Sequence, residues 1–227
     1  GLAPLIEPDS MRIHTTFNQT VTTTGRLSST EPNLQNIPIR LEVGRRIRKV
    51  FIPAEGCRFL AADYSQIELR VLAHIANDEN LIDTFQHSGD VHTRTAAEIF
   101  GVPIEAVTGE MRDKAKTINF GIIYGMSDFR LARDIGVRPG EAGEYIKSYF
   151  ARYQGVSSYI ENIIKQAKEQ GHVTTLLGRR RYLPDIQSRN GNIRQFAERT
   201  AVNTPIQGSA ADIIKIAMVN VYNLLKE

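Results

Sequence analysis

Four side chains between residues 112 and 124 recur at every fourth position: the cations Arg112 and Lys116, then the aromatic rings Phe120 and Tyr124. On a helix that turns about 100° per residue, this spacing produces one slowly drifting stripe. Cations bind phosphates and a ring stacks on a base. Arg112 to Phe120 spans roughly 12 Å of helix axis, about the reach from a triphosphate to its base. The alternative is that both rings face the core beside solvated cations.

Two carboxylates lie near the start of a predicted helix. Asp63 falls near the end of a short apolar segment, residues 58–65, which predicts a buried strand. A carboxylate at the rim of a sheet can hold Mg²⁺, which prefers oxygen ligands, but Asp63 is equally interpreted as the N-cap of helix 66–76. For Glu68, the segment SQIE at 65–68 favours a capping box over a functional role.

Other polar residues suit an anionic partner. Basic clusters at 40–49 and 178–181 fit a polyanion, although most such runs are solvated faces. His92 is interpreted, from its position alone, as a polar residue at a helix start. In the loop 24–38 three amides can donate to phosphates or bases, with turn chemistry as the commoner explanation: Asn33, Gln35 and Asn36.

These residues must be positioned by strands, a helical block, a hairpin and a final helix, an order that predicts an α+β fold. The predicted elements are short strands over 11–23, a loop over 24–38, a buried strand over 58–65, a helix over 66–76, further helices to about residue 170, a hairpin over 172–184 that turns near Gly178, and a last helix from about residue 192 with a bend near Pro205.

The composition narrows the class of protein. The 227 residues carry a formal net charge of +3 and a pI of about 9.0, which permits an anionic partner without requiring one. Cys57 is the single cysteine, so no internal disulfide forms, which fits a reducing compartment. No apolar run approaches the roughly 18 residues of a membrane span, and no secretory signal is visible. The chain begins with glycine and its last helix has no stop signal, so we expect a segment of a longer protein.

Six linked blocks resemble segments of family A DNA polymerases, the bacterial DNA polymerase I type, in family order and spacing. DYSQIELR at 63–70 is similar to the first catalytic motif, and RDKAKTINFGIIYG at 112–125 to the fingers helix that receives the incoming nucleotide. The other blocks are TGRLSSTEPNLQNIP, DVHTRTAAEIFG, GRRRYLPDI and ERTAVNTPIQGSAADIIK. The resemblance covers essentially the whole chain.

The resemblance implies a role for each matching position. Asp63, helped by the backbone carbonyl of Tyr64, would ligate two catalytic Mg²⁺ ions. Glu68 would crowd the 2′ position of the sugar and exclude ribonucleotides. The implied nucleotide-binding residues are Arg112, Lys116 and His92 at the triphosphate, Phe120 at the sugar and base, Tyr124 near the templating position and paired with Glu68, and Gln66. The implied DNA-binding residues are Arg26, Asn33, Gln35 and Asn36 at the backbone, and Arg199, Asn203 and Gln207 at the minor groove.

The implied reaction is template-directed DNA synthesis by two-metal phosphoryl transfer, in which Lys116 neutralises or protonates the pyrophosphate leaving group. The implied architecture is an antiparallel palm sheet, incomplete here, with a mostly helical fingers subdomain. Palm would occupy 1–75 and 196–227, and fingers 76–195. The family's third motif would follow residue 227 and its thumb would precede residue 1, so we expect this segment to be inactive alone.

The implied partners are primer–template DNA and deoxynucleoside triphosphates, and no membrane is involved. The resemblance also implies a monomer that works in the bacterial cytoplasm, at the nucleoid. Two other functions stay open. A phage-type single-subunit RNA polymerase shares the metal aspartate and a similar helix, but Glu68 argues against it because such an enzyme needs room at the 2′ position. The second open function is that of a DNA-binding segment that catalyses no reaction.

Overall fold

The computed structural model describes residues 2–38, 41–87 and 89–226, and the chain divides into two compact units, Gly1–Ser65 and Gln66–Glu227. Arg40, the first residue of the basic cluster 40–49, lies outside the described residues. The division into palm and fingers at residues 75 and 195 is a functional one, and it stays a prediction.

The first unit contains two short antiparallel ribbons and one helix. Thr16–Asn18 carries the threonine-rich pattern that predicted strands, and it pairs with Ser28–Thr30 so that Phe17 lies opposite Ser29. The prediction of a loop throughout 24–38 is therefore wrong at 28–30, because pairing with a partner strand supplies hydrogen bonds that local composition does not reveal. The elements are β1 (Ile6–Glu7), β2 (Arg12–Ile13), β3 (Thr16–Asn18), β4 (Ser28–Thr30) and α1 (Glu42–Arg48).

The segment 58–65, predicted as a buried strand, has no regular secondary structure and is exposed. Phe59 is 69% exposed and Leu60 is 92% exposed. A short apolar run becomes a strand only where a neighbouring strand pairs with its backbone, and no described strand pairs with this segment. The prediction was therefore wrong, and Asp63 does not lie at the rim of a sheet.

The second unit is helical apart from one hairpin. The prediction of an α+β fold is confirmed, as are the helix near 66–76, the hairpin near Gly178 and the long last helix. Its elements are α2 (Ile67–Ala76), α3 (Glu79–Gln86), α4 (Val91–Phe100), α5 (Gly109–Ile123), α6 (Asp128–Ile135), α7 (Pro139–Arg152), α8 (Gln154–Gln170), β5 (His172–Thr174), β6 (Arg180–Tyr182) and α9 (Gly191–Leu224).

Polar caps fix where several of these helices begin. Asp78, Asp90, Thr108 and Ser127 each accept a hydrogen bond from a backbone N–H in the first turn of the helix that follows. Asp78 does this twice, because its second carboxylate oxygen also accepts from the backbone N–H of Gly155 at 2.9 Å. One buried carboxylate therefore organises the first turns of both α3 and α8.

The core of the second unit lies between its helices. Apolar residues spaced along α2, α5, α8 and α9 are nearly inaccessible to solvent, including Leu69, Ile118, Val156 and Ile206, which are all 0% exposed. This packing fixes the helices that carry the predicted nucleotide and minor-groove residues. Within the described part of the chain, no helix combines the length and apolarity that crossing a bilayer requires.

Candidate functional site

The predicted stripe runs along α5 to its C-cap, and none of its four side chains is buried. Lys116 is exposed, Arg112 and Phe120 are half-buried, and Tyr124 is 41% exposed at the C-cap. Phe120 is partly buried and packs against the core, so the core-facing alternative holds in part for that ring. The buried apolar side chains of α5 are Ala115, Ile118, Ile122 and Ile123.

Asp90 fastens the cationic end of the stripe to α4. Its carboxylate accepts from Arg112 Nε at 2.6 Å and from the Thr93 hydroxyl at 2.6 Å. Burial raises the pKa of Asp90, but the hydrogen bonds from Arg112 and Thr93 outweigh it and bring the pKa from 3.8 to about 2. Sequence analysis missed Asp90, although an aspartate directly before a helix is a recognisable N-cap pattern.

His92 lies in the first turn of α4 and is buried, with 3% exposure. Its ring centroid is 5.9 Å from that of Phe120, and its Nδ1 is 3.1 Å from the side-chain nitrogen of Asn119. Burial lowers the pKa of His92 below its usual 6.5 even though the charge of Asp90 opposes this, so the neutral imidazole is favoured at pH 7. The structure thus groups His92 with the stripe residues of α5.

Glu68 connects three helices of the second unit. The Tyr124 hydroxyl donates to Glu68 Oε2 at 3.1 Å, and the Gln207 amide donates to Glu68 Oε1 at 3.5 Å. α2 begins at Ile67 with Gln66 as its N-cap residue, so Ser65 does not occupy the N-cap position that the capping-box interpretation of Glu68 required. Glu68 is 6% exposed, so a buried carboxylate joins α2 to α5 and α9.

The three residues predicted for the minor groove recur at every fourth position of α9 and share one of its faces. Arg199 packs against the backbone just after α5, where a Cβ on Gly125 would lie 2.7 Å from Arg199 Cγ. Gly125 also has a φ of +60°, so both its conformation and this close approach require glycine. The Asn203 amide nitrogen is buried and has no hydrogen-bond acceptor among the described residues.

In the first unit, Asp63 and Tyr64 are both exposed, and Asp63 is not the N-cap of α2. No hydrogen bond or ion pair to another described residue engages the Asp63 carboxylate. Nowhere in the described ranges do three or more His, Cys, Asp or Glu side chains cluster closely enough to hold a metal ion. A single free carboxylate still fits Mg²⁺, which is often bound by one or two carboxylates together with substrate phosphates.

The predicted DNA-backbone residues of the first unit are exposed side chains: Arg26, Asn33, Gln35 and Asn36. Asn33 caps the short 3₁₀ turn Leu34–Asn36, since its Oδ1 accepts from the Gln35 backbone at 3.1 Å and from the Ser29 hydroxyl at 2.9 Å. Ordinary turn chemistry therefore accounts for the Asn33 oxygen and leaves its amide N–H groups as donors.

Sequence comparisons place these features in a known family. The family model described as DNA polymerase family A matches residues 1–227. DNA polymerase I of Bacillus caldotenax is 60% identical over 228 residues, and that of Bacillus subtilis (strain 168) is 58% identical over 228 residues. Each alignment covers 100% of this chain and 26% of the relative. The thermostable DNA polymerase I of Thermus aquaticus is 53% identical over 226 residues, again 100% of this chain and 27% of the relative.

A solved structure is also similar: the POL domain of Pol1 from M. smegmatis in complex with DNA primer-template and dNTP, with a TM-score of 0.93 at 50% identity. The superposition covers 99% of this chain and 40% of that chain. The present chain spans about a quarter of the length of the relatives it matches.

Proposed function

The chain belongs to DNA polymerase family A, and from that premise we propose that it carries the nucleotide-selecting part of an enzyme that extends a primer against a DNA template. The observation that carries the proposal is the accessible stripe on α5, with His92 buried beside it. The name of the similar M. smegmatis structure, a complex with primer-template and dNTP, supports the same substrates.

The triphosphate binds at the cationic end of the stripe. Lys116 presents an exposed ammonium with three donors, Arg112 a guanidinium, and His92 an imidazole one helix away. Phe120 lies against the sugar and base, and Tyr124 borders the templating position. When the primer 3′-hydroxyl attacks the α-phosphate, Lys116 stabilises the charge on departing pyrophosphate or protonates it.

Sugar selection falls to Glu68. Its side chain is buried and tied to the Tyr124 hydroxyl, so it cannot swing away at low cost to admit a 2′-hydroxyl. Gln66 adjoins this position at the start of α2 as a further nucleotide contact. Rejection of ribonucleotides favours a DNA polymerase over the RNA polymerase alternative.

Asp63 and the Tyr64 carbonyl would hold the catalytic Mg²⁺ ions. When bound, the two ions supply Lewis-acid chemistry that activates the primer hydroxyl and stabilises the leaving group. The residues assigned to duplex DNA are Arg26, Asn33, Gln35 and Asn36 at the backbone, and Arg199, Asn203 and Gln207 at minor-groove acceptors.

According to the family resemblance, Asp63 is the only residue of the 227 that supplies a carboxylate to the metal ions. We therefore expect that the 227-residue chain alone does not extend a primer. Incubation of the 227-residue chain with primed template, Mg²⁺ and four deoxynucleotides tests this, and template-dependent extension would contradict it. An enzyme with these substrates works as a monomer at the nucleoid of a bacterial cytoplasm.

The experiment compares Lys116→Ala with Lys147→Ala in the protein at its natural length. Both lysines are exposed helical residues, but Lys147 is a solvated residue of α7, with a side chain 78% exposed. Loss of a charge-assisted hydrogen bond predicts a kcat/KM for deoxynucleotides about 10- to 100-fold lower for Lys116→Ala and unchanged for Lys147→Ala. Gel-shift binding of primed DNA should stay the same in both variants.

The outcome also decides between the remaining functions. A protein that binds DNA in the gel shift but never extends a primer would be the DNA-binding segment without chemistry. Equal use of ribonucleotides and deoxynucleotides would favour the RNA polymerase alternative. Equal losses in the Lys116 and Lys147 variants would remove the stripe as the triphosphate site while leaving family membership intact.

A further inference from the structure

A chain of buried polar side chains runs behind the stripe and ends on His92. The Tyr153 hydroxyl is 3.3 Å from the Thr95 hydroxyl, which lies 3.3 Å from Oδ1 and 3.1 Å from Nδ2 of Asn119. Asn119 Nδ2 is in turn 3.1 Å from His92 Nδ1. Thr95 and Asn119 are 0% exposed, and Tyr153 is 1% exposed.

Buried polar side chains of this kind need an explanation, because leaving water costs free energy unless every group finds a partner. Asn119 is fully buried on α5, next in sequence to the core residue Ile118. Its amide contacts α4 twice, at Thr95 and at His92. The hydrogen bond to the imidazole is therefore one of the two contacts that compensate for burying this amide.

We propose that Asn119 is a positioning residue that fixes the tautomer of His92: its amide N–H donates to Nδ1, which keeps the ring proton on Nε2. In the described part of the chain this is the only hydrogen bond to the His92 ring, so Nε2–H is left as a donor. An N–H donor suits a phosphate oxygen, whereas the other tautomer would turn a lone pair toward it.

Burial is the main cause that lowers the pKa of His92 and so favours the neutral ring that this arrangement requires, because the charges around the ring act in both directions. Arg112 and Lys116 on α5 oppose an imidazolium, while Asp90 on α4 and Asp113 on α5 favour it, and burial adds to the opposition. An imidazolium would also place an N–H at Nδ1 against the N–H of Asn119. The last step, from Nε2–H to a phosphate, depends on the proposed function, but the tautomer itself does not.

The tautomer is measured by ¹⁵N NMR of the 227-residue chain with labelled histidine rings, without nucleotide, at pH 7. The chain has five histidines, and the spectrum of His92→Gln identifies the His92 resonances by their loss. We expect one protonated ring nitrogen, Nε2. A proton on Nδ1, or on both nitrogens, would overturn the proposal without any need for a variant of Asn119.

A second measurement reverses the hydrogen bond. Asn119→Asp replaces the amide donor by a carboxylate that can only accept, so the proton should move to Nδ1 or both nitrogens should be protonated. Thr95→Ser, which keeps every hydroxyl contact, is the matched control and should retain Nε2–H. If the folded Asp variant keeps Nε2–H alone, Asn119 does not set the tautomer; if it does not fold, the wild-type spectrum decides.

Addition of dATP to the wild-type chain separates the inference from the proposed function. Binding at the stripe should shift the His92 Nε2–H resonance and leave that of His172, on β5, in place. An Nε2–H tautomer that does not respond to dATP would support the role of Asn119 and contradict the phosphate role of His92. If the ring is protonated at Nδ1 and its resonance shifts with dATP, the result would support binding at His92 and contradict the role of Asn119.

Discussion

The two units of the chain bury their side chains to very different extents. Every described hydrophobic residue that is buried lies in the second unit, from Leu69 to Ala211, whereas in the first unit only Ser29 and Gly44 are buried. The second unit holds its proposed nucleotide residues with packed helices and buried hydrogen bonds. The first unit presents Asp63 on an exposed segment without regular secondary structure.

This difference separates two kinds of functional residue. A buried group such as Glu68 both touches the proposed site and joins helices, so its loss should change stability and function together. An exposed group such as Asp63 supports no packing, so its loss should change function alone. Stability and activity measured on the same variants therefore test whether buried site residues affect both properties and exposed ones affect activity alone.

The largest effect should come from Asp63→Asn in the protein at its natural length. The change keeps the shape of the side chain and removes the charge proposed to hold Mg²⁺. We expect kcat to fall about 1,000-fold or more, with unchanged Tm and unchanged affinity for primed DNA, which depends mainly on phosphate contacts elsewhere. Asp9→Asn, at another exposed aspartate of the first unit, is the control. Parallel loss of DNA binding would mean that Asp63 is structural.

A matched pair of leucines tests the stability side of the comparison. Leu69 on α2 is 0% exposed and Leu60 is 92% exposed. Leu69→Ala should lower the free energy of unfolding by about 2–5 kcal/mol, because it leaves a cavity in the core, whereas Leu60→Ala should change it by less than about 0.5 kcal/mol. Urea unfolding of the 227-residue chain measures both. Similar decreases in the free energy of unfolding for both variants would contradict the idea that buried packing in the second unit provides most of the stability.

The parts of the fold that the sequence predicted are those that local chemistry decides. The apolar spacing along α8 and the glycine at the turn between β5 and β6 were enough to predict a helix and a hairpin. Residues 58–65 were predicted wrongly because a strand depends on a partner that a short apolar run cannot reveal. The same limit explains the missed strand Ser28–Thr30.

The candidate site shows the same boundary. The four-residue spacing of the stripe was visible in the sequence, and none of its four side chains is buried. The contacts that organise it join residues far apart in the chain: Arg112 with Asp90, and Tyr124 with Glu68 across 56 positions. The second pairing came from the family resemblance, while the spacing of Ser65 and Glu68 pointed to a capping box. The spacing of residues predicts which face of a helix they share, but it does not predict which distant residue they contact.

Glu68→Ala tests a residue that belongs to both sides of the comparison. Opening space at the 2′ position should reduce the preference for deoxynucleotides over ribonucleotides by roughly 10- to 200-fold, the range typical of a small steric change in a pocket. Loss of its hydrogen bond with Tyr124 should also cost about 1 kcal/mol of stability. Glu68→Gln, of nearly equal size, should keep the sugar preference. A purely structural Glu68 would lose stability with unchanged selectivity.

The smallest effect should distinguish two buried tyrosines of the second unit. The Tyr149 hydroxyl has no hydrogen-bond partner in the described residues, whereas the Tyr159 hydroxyl donates to the Val202 carbonyl at 2.9 Å. Burial raises the pKa of both phenols, so both are neutral at pH 7. Each hydroxyl left water on folding, but only Tyr159 gained a hydrogen bond in exchange.

Tyr149→Phe should therefore leave the free energy of unfolding unchanged or raise it by up to about 1 kcal/mol, because the variant no longer desolvates an unpaired hydroxyl. Tyr159→Phe should lower it by about 1 kcal/mol, since the hydrogen bond to α9 is lost. Both changes remove one oxygen from a ring that stays packed, so the difference between the two variants isolates the hydrogen bond from the packing. Equal destabilisation would show that the Tyr149 hydroxyl has a partner, such as a buried water, and that the interior of the second unit is as fully satisfied there as it is at Tyr159.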